Sequence, residues 1–132
     1  MKRKKIYLSG HIKELDYRRV CKEKYSDKFI FIDPVNFIVE EMIEGLTIEE
    51  ASDNIVKFDK AAILLCDIFV AWIEKPTFGT IMEIIFAFDH GIPVYIINEN
   101  KQFMKDFWLY YHCNELFNSI DSCFEYLISN GI

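Results

Sequence analysis

The chain has 132 residues, 52% of them apolar and 16% aromatic, with a formal net charge of −6. Such a composition excludes disorder, and the length suits one domain with a real core. The acidic balance argues against a nucleic-acid polymer as partner, because phosphate neutralisation drives that binding.

The Met1-Lys2-Arg3-Lys4-Lys5 start runs into Ile6-Tyr7-Leu8-Ser9, a short buried strand closed by Gly10. It lacks the apolar segment of a signal peptide, and the basic residues 2–5 read as a solvated end. Leu15 to Tyr25 predicts a charged helix with Leu15, Val20 and Cys21 on its apolar face. Phe29-Ile30-Phe31-Ile32 is a second strand, stopped by Asp33-Pro34 because proline cannot donate to a ladder. Val35 to Gly45 is ambiguous, helical in composition but ending at glycine. Thr47-Ile48-Glu49-Glu50 is a capping-box pattern that opens a helix running to about Lys60.

Ile63 to Ile73 holds the third strand, a near-continuous apolar run of the kind a sheet covered on both faces produces. Asp67 interrupts it, so no membrane-spanning stretch exists. An Asp there marks a bend or a buried hydrogen-bonding role, and the structural reading is preferred. A helix from about Thr80 to His90 stops at Gly91, and Pro93 to Ile97 is the fourth strand. Lys101 to Tyr111 looks helical, Glu115-Leu116-Phe117 forms a fifth strand, and Ser119 or Asp121 caps a last helix to Ile128. Strand and helix alternate without repeat or linker, which predicts a single α/β domain, residues 1–132, with a parallel sheet between helix layers.

Four cysteines, Cys21, Cys66, Cys113 and Cys123, are widely separated and form no CxxC or Cys/His cluster. Reduced, buried thiols and no metal are expected, in a soluble cytoplasmic protein. His90 and His112 have no triad context. Glu83 is the most informative polar residue. It follows the third strand and the turn Pro76-Thr77-Phe78-Gly79, where parallel α/β sheets bind ligands. A first-turn glutamate complementing the helix dipole is the simplest reading. Against it, Glu83 has apolar neighbours on both sides, and a second acid, Asp59, ends the preceding helix. Two converging carboxylates suit glycosidic-bond chemistry, one attacking the sugar carbon and the other handling the leaving group's proton. Tyr7 is either a core aromatic or the group that orients a carboxylate. Ser9-Gly10-His11-Ile12-Lys13 is a strand–helix turn able to hold a phosphate, though it matches no Walker or GxGxxG pattern.

Taken together, Ile6 to Gly10, Asp59 through Ala71, Gly79-Thr80-Ile81-Met82-Glu83, and Gly91-Ile92-Pro93-Val94 resemble the nucleoside 2-deoxyribosyltransferase family. That family includes the 2'-deoxynucleoside 5'-monophosphate N-glycosidases, and the Gly-Thr-x-x-Glu core with the 24-residue step from Asp59 to Glu83 is the most specific part. The resemblance implies a flavodoxin-like three-layer sandwich with a five-stranded parallel sheet of order 2-1-3-4-5. It implies Glu83 as nucleophile, Asp59 assisting departure of the base, and Tyr7 positioning Glu83, without a cofactor. It also implies a nucleoside or nucleotide substrate and a homodimer or larger assembly whose neighbouring subunit closes the site. The partner-subunit polar residue could be Asn98, Asn100 or Asn114.

Thr77 stands six residues before Glu83, where the transferases carry an acid and the monophosphate hydrolases a hydroxyl residue. His11 and Lys13 fall where the hydrolases place phosphate-contacting groups, with Gly10, Gly79 and Thr80 alongside. The resemblance therefore leans towards a nucleotide. Asp33, Phe37, Met42 and Trp72 are expected near the base. The rival expectation is a non-catalytic nucleotide-binding or sensing module on the same fold. A receiver-like phosphoacceptor is disfavoured, because the third strand ends Val70-Ala71-Trp72-Ile73-Glu74 without the Asp.

Overall fold

The computed structural model describes residues 2–11, 14–38 and 40–132. Five strands form one parallel sheet of order β2-β1-β3-β4-β5. They are β1 (Lys4–Gly10), β2 (Phe29–Ile32), β3 (Ile68–Trp72), β4 (Val94–Ile97) and β5 (Glu115–Phe117). The helices between them are α1 (Leu15–Tyr25), α2 (Ile48–Leu64), α3 (Phe78–Asp89), α4 (Phe107–Tyr111) and α5 (Ile120–Ser129). This is the flavodoxin-like arrangement, with the strand order expected.

Successive strand residues point to opposite faces, and the core splits accordingly. Ile6, Leu8, Ile68, Val70, Tyr95 and Ile97 meet Tyr17 and Cys21 of α1 and Cys123, Phe124 and Leu127 of α5. Tyr7, Phe69, Ala71, Val94 and Ile96 meet Ala62 and Ile63 of α2 and Ile84 and Ala87 of α3. β1 is an inner strand, paired with β2 on one side and with the central strand β3 on the other. The chain leaves β1 towards β2 and leaves β3 towards β4, in opposite directions along the sheet, and the crevice between these connections opens at the strands' carboxyl ends.

Several local expectations are revised. Leu15 is 57% exposed; Cys21 is buried as expected, and α1 buries Tyr17 and Arg18 beside it. Ile63 and Leu64 end α2 rather than begin β3. Asp67 lies outside the strand and is exposed; its Oδ2 accepts from the Lys5 backbone N–H at 2.8 Å, so it ties the approach to β3 to β1. In and beside the stretch left ambiguous, Val35 to Gly45, the described residues include two short 3₁₀ turns, Pro34–Asn36 and Glu40–Met42. Residues 101–106 stay outside α4 because Lys101 takes a left-handed φ of 64° and the Asn98 side chain captures the Phe103 N–H at 2.7 Å. The capping box at Thr47 and Glu50 forms as expected, and Ser119 rather than Asp121 caps α5.

Candidate active site

The site begins at β1. Its alternation sends Tyr7 and Ser9 towards α2 and α3, and both are fully buried. Tyr7 stacks on Phe69 of β3 with ring centroids 5.5 Å apart, which fixes where its hydroxyl ends. That hydroxyl donates to Glu83 Oε2 at 2.6 Å, and the Ser9 hydroxyl donates to Glu83 Oε1 at 2.8 Å. Both carboxylate oxygens are thus held by groups from one strand, β1.

Glu83 is the sixth residue of α3, because Thr77 caps the helix through a Thr80 N–H to Thr77 Oγ1 bond of 3.3 Å. It therefore lies beyond the first turn, to which dipole effects are largely confined. Burial pushes its carboxyl above the ordinary range, against the hydrogen bonds from Tyr7 and Ser9 and the field of Arg18. Asp59, near the end of α2, is pushed up to about 7 by burial and by the Glu83 charge. Its Oδ1 is buried without a hydrogen-bond partner among the described residues. Tyr7 is raised further by the same burial and by both carboxylates, so it stays a donor. One fixed carboxylate thus faces one carboxyl poised to exchange a proton near neutrality.

These groups line a cavity of about 650 Å³, a size usual for small-molecule sites. Gly10, His11, Arg18, Pro34 and Val35, from the ends of β1 and β2 and from α1, line it together with Asp59 of α2 and Thr77, Gly79, Thr80 and Glu83 at the start of α3. Ile38, Ile43, Ile55, Val56, Met82 and Phe86 supply an apolar rim. A Cβ at Gly10 would come within 3.3 Å of the Trp72 carbonyl oxygen and 3.4 Å of the Tyr17 ring, so glycine lets β1 end against β3. A second hollow of about 340 Å³ beside α4 is lined by Phe107, Trp108, Tyr111 and His112 and offers no carboxylate.

Of the residues singled out in the sequence, Tyr7, Asp59 and Glu83 come together, and Gly10, His11, Thr77, Gly79 and Thr80 line the cavity. Lys13 lies outside the described residues. Asp33, Phe37 and Trp72 do not line it: Asp33 is 2% exposed in an ion pair with Arg18, Phe37 packs on Phe58, and Trp72 stacks on Tyr17 across the sheet. Nor does Met42. Asn98, Asn100 and Asn114 are each engaged within the chain, the first two around Glu74 and the third on the Val94 N–H at 2.9 Å. Among the described residues no group of three potential metal ligands exists. No described helix is long and apolar enough to cross a membrane.

Sequence reading missed Ser9 and Arg18. Ser9 was legible in principle, since it is two residues from Tyr7 on the same face of β1. Arg18 carried a weaker signal, one position after Tyr17 and three before Cys21 on the inner side of α1.

The fold and cleft define a doubly wound α/β protein whose crevice lies at the switch point of its sheet. A 2-deoxyribosyltransferase from the psychrotolerant bacterium Bacillus psychrosaccharolyticus shares this fold, with a TM-score of 0.74 and 18% identity over 89% of this chain and 88% of that one. A conserved protein from Enterococcus faecalis V583 superposes with a TM-score of 0.77 and 17% identity, covering 98% and 99%. A CMP N-glycosidase from Clostridium botulinum matches at 0.58 and 18% identity, covering 96% and 98%. At these identities the likeness is one of fold, and at that level it agrees with the family the sequence motifs resemble. No protein-family model matches the chain, and no curated protein matches it.

Proposed function

We propose that the protein cleaves the N-glycosidic bond of a 2'-deoxynucleoside or its 5'-monophosphate. The observation that carries this reading is the pair of unlike carboxyl groups: Glu83 held on both oxygens by Tyr7 and Ser9, and Asp59 unpartnered at Oδ1 and raised to about 7. A Glu83 oxygen attacks the anomeric carbon as the bond to the base breaks, while protonated Asp59 gives its proton to the departing base. The product is a deoxyribosyl ester of Glu83. Asp59, now ionised, takes a proton from the incoming water as its oxygen attacks the same carbon and Glu83 leaves. A second free base could replace water in that step and yield transfer. Splitting one displacement into two lowers each barrier, and the opposite environments of the two acids suit opposite roles.

The cavity and its neighbours in fold space support a nucleoside or nucleotide as the substrate class. A 5'-phosphate is favoured by Thr77, a neutral hydroxyl at the start of α3, with His11 lining the same cavity. A carboxylate at position 77 would repel the dianion.

The test incubates the protein with each deoxynucleoside and deoxynucleoside monophosphate, with and without a second base, and follows base release. Glu83→Ala should abolish release and covalent labelling of the protein by substrate. Saturable nucleotide binding with no release over hours would instead identify a binding module.

A further inference from the structure

Arg18 is a buried cation for which the proposed reaction has no step. Its side chain is 4% exposed, yet it lines the cavity. Nε donates to Asp33 Oδ1 at 2.9 Å, Nη2 to the Gly10 carbonyl at 3.0 Å, and Nη1 to the carbonyls of His11 at 2.9 Å and Glu14 at 3.2 Å. Asp33 is engaged too: Oδ1 accepts from the Val35 N–H at 3.1 Å and Oδ2 from Lys22 Nζ at 2.7 Å. One planar fork thus joins the end of β1, the start of α1 and the end of β2. The wall it joins contains Gly10, His11, Pro34 and Val35.

Resting on the reaction proposed above, we propose that Arg18 is a positioning residue for it: its guanidinium clamps Gly10, His11 and Glu14 to the Asp33–Val35 turn and so sets the part of the cavity lining that Gly10, His11, Pro34 and Val35 supply. A lysine in its place has no rigid fork and could not hold three carbonyls and a carboxylate together. Arg18 and Glu83 line the same cavity, so the guanidinium also acts on the carboxyl through space. Two cations and one carboxylate make this cluster net positive, and the Arg18 charge opposes the rise that burial imposes on Glu83. The other groups around Glu83 are Tyr7 and Ser9 of β1 and Asp59 of α2, while His11 and Lys60 line the same cavity.

The two effects separate by substitution. Arg18→Lys keeps the charge and loses the fork: KM should rise by roughly 10- to 100-fold with a smaller change in kcat, because Tyr7, Ser9 and Glu83 sit on other elements. Hydrogen exchange at the Gly10, His11 and Glu14 amides should quicken, while the Glu83 carboxyl, followed by carbon NMR and assigned by its loss in Glu83→Gln, titrates as in wild type. Arg18→Met removes the charge, and Glu83 should then titrate at higher pH. Wild-type KM and wild-type exchange in Arg18→Lys would overturn the clamp, even if the melting temperature falls. An unmoved Glu83 titration in Arg18→Met would overturn the electrostatic effect. Exchange and titration need no turnover, so a wild-type protein that releases no base, with both responses still seen in the variants, would defeat the proposed reaction while the clamp and the charge effect of Arg18 stand.

Discussion

Asp59 and Glu83 lie in one low-dielectric cleft, and their proximity makes the proton on Asp59 favourable to pHs where an ordinary aspartate has lost it. This has a consequence for stability that does not depend on substrate. The unfolded chain returns Asp59 to its ordinary value near 3.8, while the folded value is about 7. A raised folded value stabilises the fold below the lower of the two and is lost as pH climbs through the upper one. Wild type should therefore weaken between pH 4 and pH 8 for this reason, and Asp59→Asn, which cannot ionise, should not. The melting-temperature gain of Asp59→Asn over wild type should be larger at pH 8 than at pH 4, alongside loss of base release. Equal gains at both pH values would show that Asp59 is not held protonated. Tyr7, Asp59 and Glu83 were legible in the sequence because each is a polar group set among apolar ones. Ser9 and Arg18 were not, because what they do depends on partners: Ser9 meets Glu83 from 74 residues away, and Arg18 acts on carbonyl groups that no residue pattern advertises.

At the level of elements, α3 starts where Thr77 caps it, two residues earlier than glycine and hydrophobic periodicity indicated. That offset decides the reading of Glu83, since a helix starting at Thr80 would have put it in the first turn. Thr77→Ala should lower stability by about 1 kcal/mol through loss of the cap, measured by denaturant unfolding. Thr77→Ser should restore it. If the hydroxyl also meets a 5'-phosphate, the alanine variant raises KM for monophosphates and leaves the nucleoside value unchanged. The boundary between α2 and β3 was illegible for a different reason. Ile63, Leu64 and Leu65 continue the apolar run of the strand, and apolar runs do not reveal their own period. α4 was overextended because nothing in the composition of residues 101–106 signals that the Asn98 side chain will occupy their backbone.

Across the whole molecule, the sheet divides labour. The face under α1 and α5 is aromatic and closed, with Tyr25, Phe29 and Phe31 all packed on Phe124. The face under α2 and α3 carries the cavity. Phe124→Ala should cost about 3–5 kcal/mol of stability, read by denaturant unfolding, while base release by the folded fraction stays near wild type. A matching loss of turnover in that folded fraction would mean the two faces are coupled through the strands. The architecture itself was legible, because five apolar runs separated by helices admit few arrangements.

The place of β1 between β2 and β3 also governs when the cleft can exist. Its neighbour β3 arrives some sixty residues later in the chain, with Ile6 opposite Ile68 and Gly10 opposite Trp72. Chain closure over that distance is slow compared with forming a helix. Asp59 and Glu83 lie on helices flanking β3 and can draw near each other through a short crossover. Glu83 gains its two hydroxyl donors only when the first strand slots in beside the third. Recovery of function on refolding should thus coincide with the last long-range event, leaving no stage at which a partly folded chain carries an oriented carboxylate.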